Sequence, residues 1–174
     1  MKFLDLETVK LSERLSPFAD KVYKERFGAR KIKRMKRKDG KVHILDGKFS
    51  IDVILTLNGG VIITGQEKFR SFEAYERYGG EATIEFYQNP KKKEKGEFFH
   101  LASQFYLWGF SNFEETGFLR YFCLDVLKLM LAISSDRISY RVYENHIHSK
   151  ASFIAFRLED VPADCILFEG GKRG

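Results

Sequence analysis

The sequence predicts an α/β domain in which an antiparallel meander of strands is flanked by helices. Three features of the chain point to it. Near the N-terminus, Leu11, Leu15, Phe18, Val22 and Tyr23 fall close to helical spacing. The turn signals Asp39-Gly40, Asp46-Gly47 and Asn58-Gly59-Gly60 then follow in quick succession, each between segments rich in β-branched or apolar residues. Further on, Phe118, Phe122, Val126, Leu129 and Ile133 recur at the helical period behind a capping Asn112. A chain of 174 residues, 44% hydrophobic and 15% aromatic, is long and apolar enough for one compact domain spanning residues 1–174 with its own core, which excludes a disordered tail.

Taken in order, Ser16-Pro17 offers a cap followed by proline at a first helical position, so the opening segment reads as one helix, or two joined at Ser16, ending at Gly28. The meander comes next. The turn-like Tyr78-Gly79-Gly80 leads into a strand from Ala82 to Gln88. After the lysine-rich loop, GEFFHLASQFYLWGF gives an aromatic-rich turn and a buried strand around Gln104 to Gly109. A long helix from about Phe113 to Ser134 should cover one face of the sheet. Strands from Ile138 to Tyr143 and from Ser152 to Leu158 precede the basic tail GGKRG, and there is neither a repeat nor a linker long enough to separate two domains.

Several classes are excluded by composition. No apolar run approaches the roughly 18 residues of a membrane helix. The N-terminus MKFLDLETVK carries charge where a signal peptide needs its apolar region, so a soluble, cytoplasmic protein is expected, with no membrane partner. Cys123 and Cys165 lie in apolar surroundings without CxxC spacing and read as reduced core residues. The net charge of +6 fits a polyanionic partner, but position matters more than the total. Basic residues concentrate in ARKIKRMKRKDGK (29–41) and NPKKKEK (89–95). Either run alone also reads as a solvated strand edge or a loop tip. The first supplies the expected DNA contacts: Arg30, Lys31, Lys33, Arg34, Lys36, Arg37 and Lys38. Scarce Gln and Asn beside 31% charged residues is a balance seen in proteins of hot environments.

Parity along the meander singles out a polar face. In IDVILTL (51–57) the odd positions are all apolar, while Asp52 and Thr56 are even; in VIITGQEKF (61–69) the even positions include Thr64, Gln66 and Lys68. A three-residue loop of Asn58, Gly59 and Gly60 pairs Leu57 with Val61 and Asp52 with Gln66, joining Asp52, Gln66 and Lys68 in one patch. A two-residue turn would place Asp52 opposite Gly65 and mix polar with apolar positions. An acid facing an amide oxygen and a lysine suits metal-assisted phosphodiester cleavage: the two oxygens hold Mg²⁺, and the lysine orients water and offsets developing charge.

With these residues in place, the chain over 18–110 resembles the PD-(D/E)XK nuclease superfamily. FADKVYKERFG resembles its first helix, SIDVILTL the strand bearing Asp, and GGVIITGQEKF the strand with the x-Lys motif, in the Gln-x-Lys form of some Mrr-like branches. YGGEATIEFYQN followed by EFFHLASQFYLWGF is similar to the Gly-x-x-x-Ile-Glu layout of phage-type members, which implies a viral or plasmid setting. The resemblance implies a restriction-endonuclease-like fold with a central mixed β-sheet, DNA as substrate, and Mg²⁺ or Mn²⁺ as cofactor. It implies Asp52, Gln66 and Lys68 as catalytic residues and Asp52, Gln66, Glu85 and Asp20 around the metal. Glu13 competes with Asp20 as the first-helix acid. Gln66 departs from the family's acid: an amide binds Mg²⁺ more weakly than a carboxylate, so either Glu67 or Glu85 compensates or the site has lost activity. Glu67 points to the opposite face by parity, which favours Glu85.

His146 and His148 have His-x-His spacing that His100 could join, but no third ligand stands out and they read as a turn with exposed histidines. Trp108 with Phe105, Tyr106 and Phe110 reads as core rather than as a base-stacking platform. The sequence is therefore read as a metal-dependent DNA nuclease, with two alternatives: an inactive nucleic-acid-binding protein on the same scaffold, or a structural or interaction module of a mobile element. Cutting both strands asks for two sites, which a homodimer would supply.

Overall fold

The computed structural model describes residues 2–35, 43–144 and 151–171. Among these are four α-helices and ten strands: α1 (Lys2–Phe27), β1 (Lys31–Arg34), α2 (Ile44–Phe49), β2 (Val53–Thr56), β3 (Ile62–Arg70), α3 (Phe72–Tyr78), β4 (Glu81–Asn89), β5 (Glu94–Lys95), β6 (Phe105–Ser111), β7 (Phe118–Asp125), α4 (Val126–Ser134), β8 (Arg141–Glu144), β9 (Ser152–Arg157) and β10 (Ile166–Gly170). Six strands form a central mixed sheet in the order β1-β2-β3-β6-β7-β10, in which β3 and β6 run parallel and the other neighbours antiparallel. The remaining four form a second, antiparallel sheet in the order β5-β4-β9-β8.

The meander is present, in the register that its polar pattern requires. Val53 pairs with Gly65 and Thr56 with Ile62, and the Leu57 amide donates to the Val61 carbonyl at 2.8 Å across the loop. Gly59 and Gly60 take φ of 75° and 79°, a region that side-chain-bearing residues seldom enter, which is why the loop closes on glycines. Parity then sorts the core into two layers. Val53, Leu55, Phe69, Phe105 and Leu107 face α1, whose Leu15, Ala19 and Tyr23 they bury. On the opposite face Tyr106, Trp108, Phe110, Phe122 and Leu124 pack with Leu129 and Ile133 of α4 and with Ala82, Ile84, Ile154 and Phe156 of the second sheet. All seven residues of β6 are buried, since it is covered on both sides.

α1 settles the first ambiguity: it is one helix running through Pro17, with the Ser16 hydroxyl bonded to the Ser12 carbonyl at 2.7 Å. Other expectations are corrected. Asp46-Gly47 is no turn between strands but lies inside α2, which His43 caps by accepting from the Leu45 amide and Ser50 closes in a left-handed conformation. Asp39-Gly40 lies outside the described residues. The long helix expected from Phe113 is strand β7 followed by the shorter α4, and the N-cap is Asp125, which accepts from the Lys128 amide. Phe118, Phe122 and Val126 are four residues apart, a spacing that satisfies an even strand period as well as a helical one. Sequence reasoning found neither α3, whose C-cap is Gly79, nor β10, and it did not separate β4 into a second sheet. Cys123 and Cys165 are free and buried, as expected. No helix among the described residues is long and apolar enough to cross a membrane.

Candidate active site

The tail of β3 lies where the two sheets meet. Lys68 continues from Gln66 on the face turned away from α1, and its Nζ donates to the Thr83 carbonyl of β4 at 2.6 Å, on a stretch that β5 does not reach. The Glu97 carboxylate is 3.6 Å from the same Nζ and also accepts from the Tyr106 hydroxyl. The Lys68 and Glu97 side chains are only 19% and 15% exposed. Burial pushes the Lys68 ammonium below its usual pKa and Arg70 adds to this, while Glu97 and Glu85 pull the other way. Burial and the Glu97 charge, with Asp52 contributing, push the Tyr106 phenol well up, so Tyr106 stays a donor to Glu97.

Asp52 stands just before β2, and continuing the β2–β3 register places it opposite Gln66. Its amide donates to the Gly65 carbonyl at 2.9 Å, its carbonyl accepts from the Met35 amide at 2.7 Å, and its Oδ2 accepts from the Glu67 amide at 3.0 Å. Burial raises its carboxyl well above the ordinary range; the Glu67 amide opposes this, and the Asp46, Glu67 and Glu97 charges reinforce it. Glu85 is likewise raised, by burial and by Glu97, with Lys68 opposing. Asp52, Lys68, Glu85, Glu97 and Tyr106 thus share one electrostatic neighbourhood. Gln66 adds a buried Oε1 with no hydrogen-bond partner. A buried amide oxygen left unpaired costs stability, and such an atom in a native fold asks for a reason.

Two glycines set the approach of these groups. A Cβ on Gly65 would lie 2.1 Å from the Phe105 ring, so only glycine lets that ring cross β3 beside Gln66. A Cβ on Gly96 would lie 2.8 Å from the Glu85 carbonyl oxygen, so glycine there lets the turn that bears Glu97 sit directly on Glu85. Glu97 was missed by sequence reasoning. It lies on a single 3-10 turn, Glu97–Phe99, where no periodicity marks a direction, and the one local hint is the glycine before it.

Two sequence-based assignments are corrected. Asp20 is not with the trio: it faces the other side of the sheet, where its carboxylate binds Arg34 at 2.5 Å, and Glu13 is exposed on α1. Arg34 is not free for DNA. Its guanidinium is 17% exposed and holds both Asp20 and Glu67. The signal was available, since Ile32 and Arg34 share parity in KIKR and Ile32 packs in the layer under α1. Lys31 and Lys33, opposite Thr56 and Ile54, share the site's face and are exposed. Arg30 is exposed and bonded to the Asn58 side chain. Lys36, Arg37 and Lys38, with His146 and His148, lie outside the described residues; His100 is exposed at the end of the Glu97 turn.

Gln66, with its orphaned carbonyl oxygen, lies opposite Asp52 in the continued β2–β3 register, and an amide and a carboxylate oxygen are the hard donors that a small divalent cation such as Mg²⁺ or Mn²⁺ takes. Among the described residues no three His, Cys, Asp or Glu side chains converge as a complete metal cage, so amide and water oxygens would have to complete the shell. Compared with known proteins, the chain matches no family model, no curated protein and no solved structure.

Proposed function

We propose that the protein is a metal-dependent nuclease of the PD-(D/E)XK type, hydrolysing DNA phosphodiesters at the meeting of the two sheets. The observation that carries this reading is the grouping of Lys68 with Asp52, Glu85 and Glu97 beside the unpaired oxygen of Gln66. Asp52 and Gln66 would hold Mg²⁺ or Mn²⁺ with water oxygens completing the shell, and the nearby charges of Glu97 and Glu85 would offset the carboxylate that Gln66 lacks. Bound there, the ion contributes Lewis acidity and a water of lowered pKa. Lys68, directed by the Thr83 carbonyl and Glu97, offsets charge growing on the phosphoryl oxygens; with its proton loosened by burial, it can also protonate a leaving oxygen. Exposed Lys31 and Lys33 on the same face bind flanking phosphates.

The test is nicking of supercoiled plasmid with Mg²⁺ or Mn²⁺. Wild type should nick, whereas Asp52→Ala and Lys68→Ala should bind DNA without cutting it. Gln66→Glu should tighten metal binding. If wild type and Gln66→Glu both leave single-stranded, duplex and branched DNA intact with either metal, the enzyme reading is wrong. A second reading, a nucleic-acid-binding protein without catalysis, is favoured by an amide at position 66 and by a lysine already engaged by two partners. Salt-sensitive DNA binding without nicking would select it.

A further inference from the structure

Glu67, the middle residue of Gln-x-Lys, points away from the site, yet its carboxylate accepts three hydrogen bonds. Arg34 donates from Nε and Nη2 to its two oxygens at 3.0 and 2.9 Å, and the Tyr23 hydroxyl donates to Oε1 at 2.7 Å. Arg34 is itself fixed by Asp20 at 2.5 Å and by the Ser16 carbonyl at 3.3 Å. The Glu67 carboxylate is 9% exposed and Tyr23 is fully buried. A buried ion pair of this kind is poor evidence for stability, because apolar residues of similar volume do as well or better. The backbone of the same residue supplies the other half of the arrangement, for the Glu67 amide is the donor to Asp52 Oδ2 at 3.0 Å.

We infer that Tyr23, Arg34 and Glu67 are positioning residues that act through the sheet, locking the Glu67 side chain under α1 so that its amide holds the Asp52 carboxylate in its binding orientation. The inference rests on the proposed role of Asp52 as a metal ligand. The ensemble touches neither metal nor substrate; it fixes a carboxylate from behind, as partners of metal ligands do, where their loss costs roughly 10–100-fold in metal affinity.

The experiment uses the full chain and two readouts: hydrogen exchange of individual β3 amides by NMR, and Mn²⁺ affinity from the paramagnetic resonance of the free ion. The variants are Tyr23→Phe, which removes one hydroxyl and keeps the ring, and the double variant Arg34→Met with Glu67→Leu, which leaves no charge of the pair orphaned. Asp52→Ala sets the ceiling for exchange of a Glu67 amide without its acceptor. The double variant should speed Glu67 exchange at least about tenfold towards that ceiling while the β3 amides bonded to β6 keep their protection, and should weaken Mn²⁺ binding by roughly 10–100-fold. Tyr23→Phe should move both readouts in the same direction by less. Asp20→Asn, which removes the charge that fixes Arg34 from the helix side, should move both readouts in the same direction by less than the double variant. Unchanged Glu67 exchange in the double variant, or equal acceleration along all of β3, overturns the inference; if the double variant does not fold, Tyr23→Phe decides by the same criterion. Absence of Mn²⁺ binding in wild type defeats the metal reading instead, and Glu67 exchange still decides the positioning role.

Discussion

At the scale of single residues, the TGQEKF stretch combines side chains that face two environments, and parity separated them correctly. Gln66 and Lys68 turn to the second sheet and Glu67 turns to α1. Parity could not reveal that the glycine before them is a packing requirement, since the Phe105 ring that occupies its Cβ position comes from a strand forty residues away. Gly65→Ala must displace that ring or bend β3, and overpacking of this sort costs about 1–3 kcal/mol. A lower denaturant midpoint with an unchanged slope would register it; a wild-type midpoint would mean that the ring moves freely. Asp52→Asn should act in the opposite direction. It keeps an oxygen for the Glu67 amide and removes a buried charge that three neighbouring carboxylates disfavour. At neutral pH without divalent metal its Tm should rise, by roughly 2–4 °C per kcal/mol regained, while nicking is lost. A fall in Tm would show that the charge stabilises the fold.

At the scale of elements, legibility followed the period. β2, β3, β4 and β6 were recognisable because one face of each is apolar along an alternating or continuous run, and the hairpin register followed from where the polar positions had to meet. The helix expected from Phe113 failed because a four-residue spacing fits both periods, and only the pairing of β7 between β6 and β10 decides for strand. The second sheet was illegible for a different reason: β4 pairs with β9, about seventy residues further along the chain, and nothing local encodes that partner. Its consequence is that Glu85 and Glu97 approach Lys68 from a separate layer, so the site depends on how the Glu97 turn seats against β4. Gly96→Ala would press a methyl into the Glu85 carbonyl and lift that turn. Nicking should fall at least about tenfold, as expected when a group at a site is misplaced by an ångström, with Tm reduced by only a few degrees. Wild-type activity in Gly96→Ala would show that Glu97 is dispensable.

At the scale of the whole molecule, the net charge of +6 says little until it is assigned to faces. α1 covers one face of the central sheet, and the second sheet with α4 packs on the other, over β6 and β7. On that second face β1 is an edge strand, and it presents Lys31 and Lys33 in line with Thr56 and Ile54. A nucleic acid laid along this edge would run from the two lysines towards Asp52 and Lys68. The same basic run sends Arg34 inward, so a count of its charges overstates the contacts available. Each phosphate neutralised on duplex DNA contributes about −0.9 to the slope of log affinity against log salt. Replacing Lys31 and Lys33 together by Gln should therefore make the slope shallower by up to about 2. Removing the same charge from the α1 layer, with Lys21→Gln and Lys24→Gln, should leave it almost unchanged, because those exposed lysines lie behind the sheet. Equal flattening by both pairs would mean that DNA responds to net charge alone. Flattening by the α1 pair only would place the binding surface on the helix and separate it from Asp52 and Lys68.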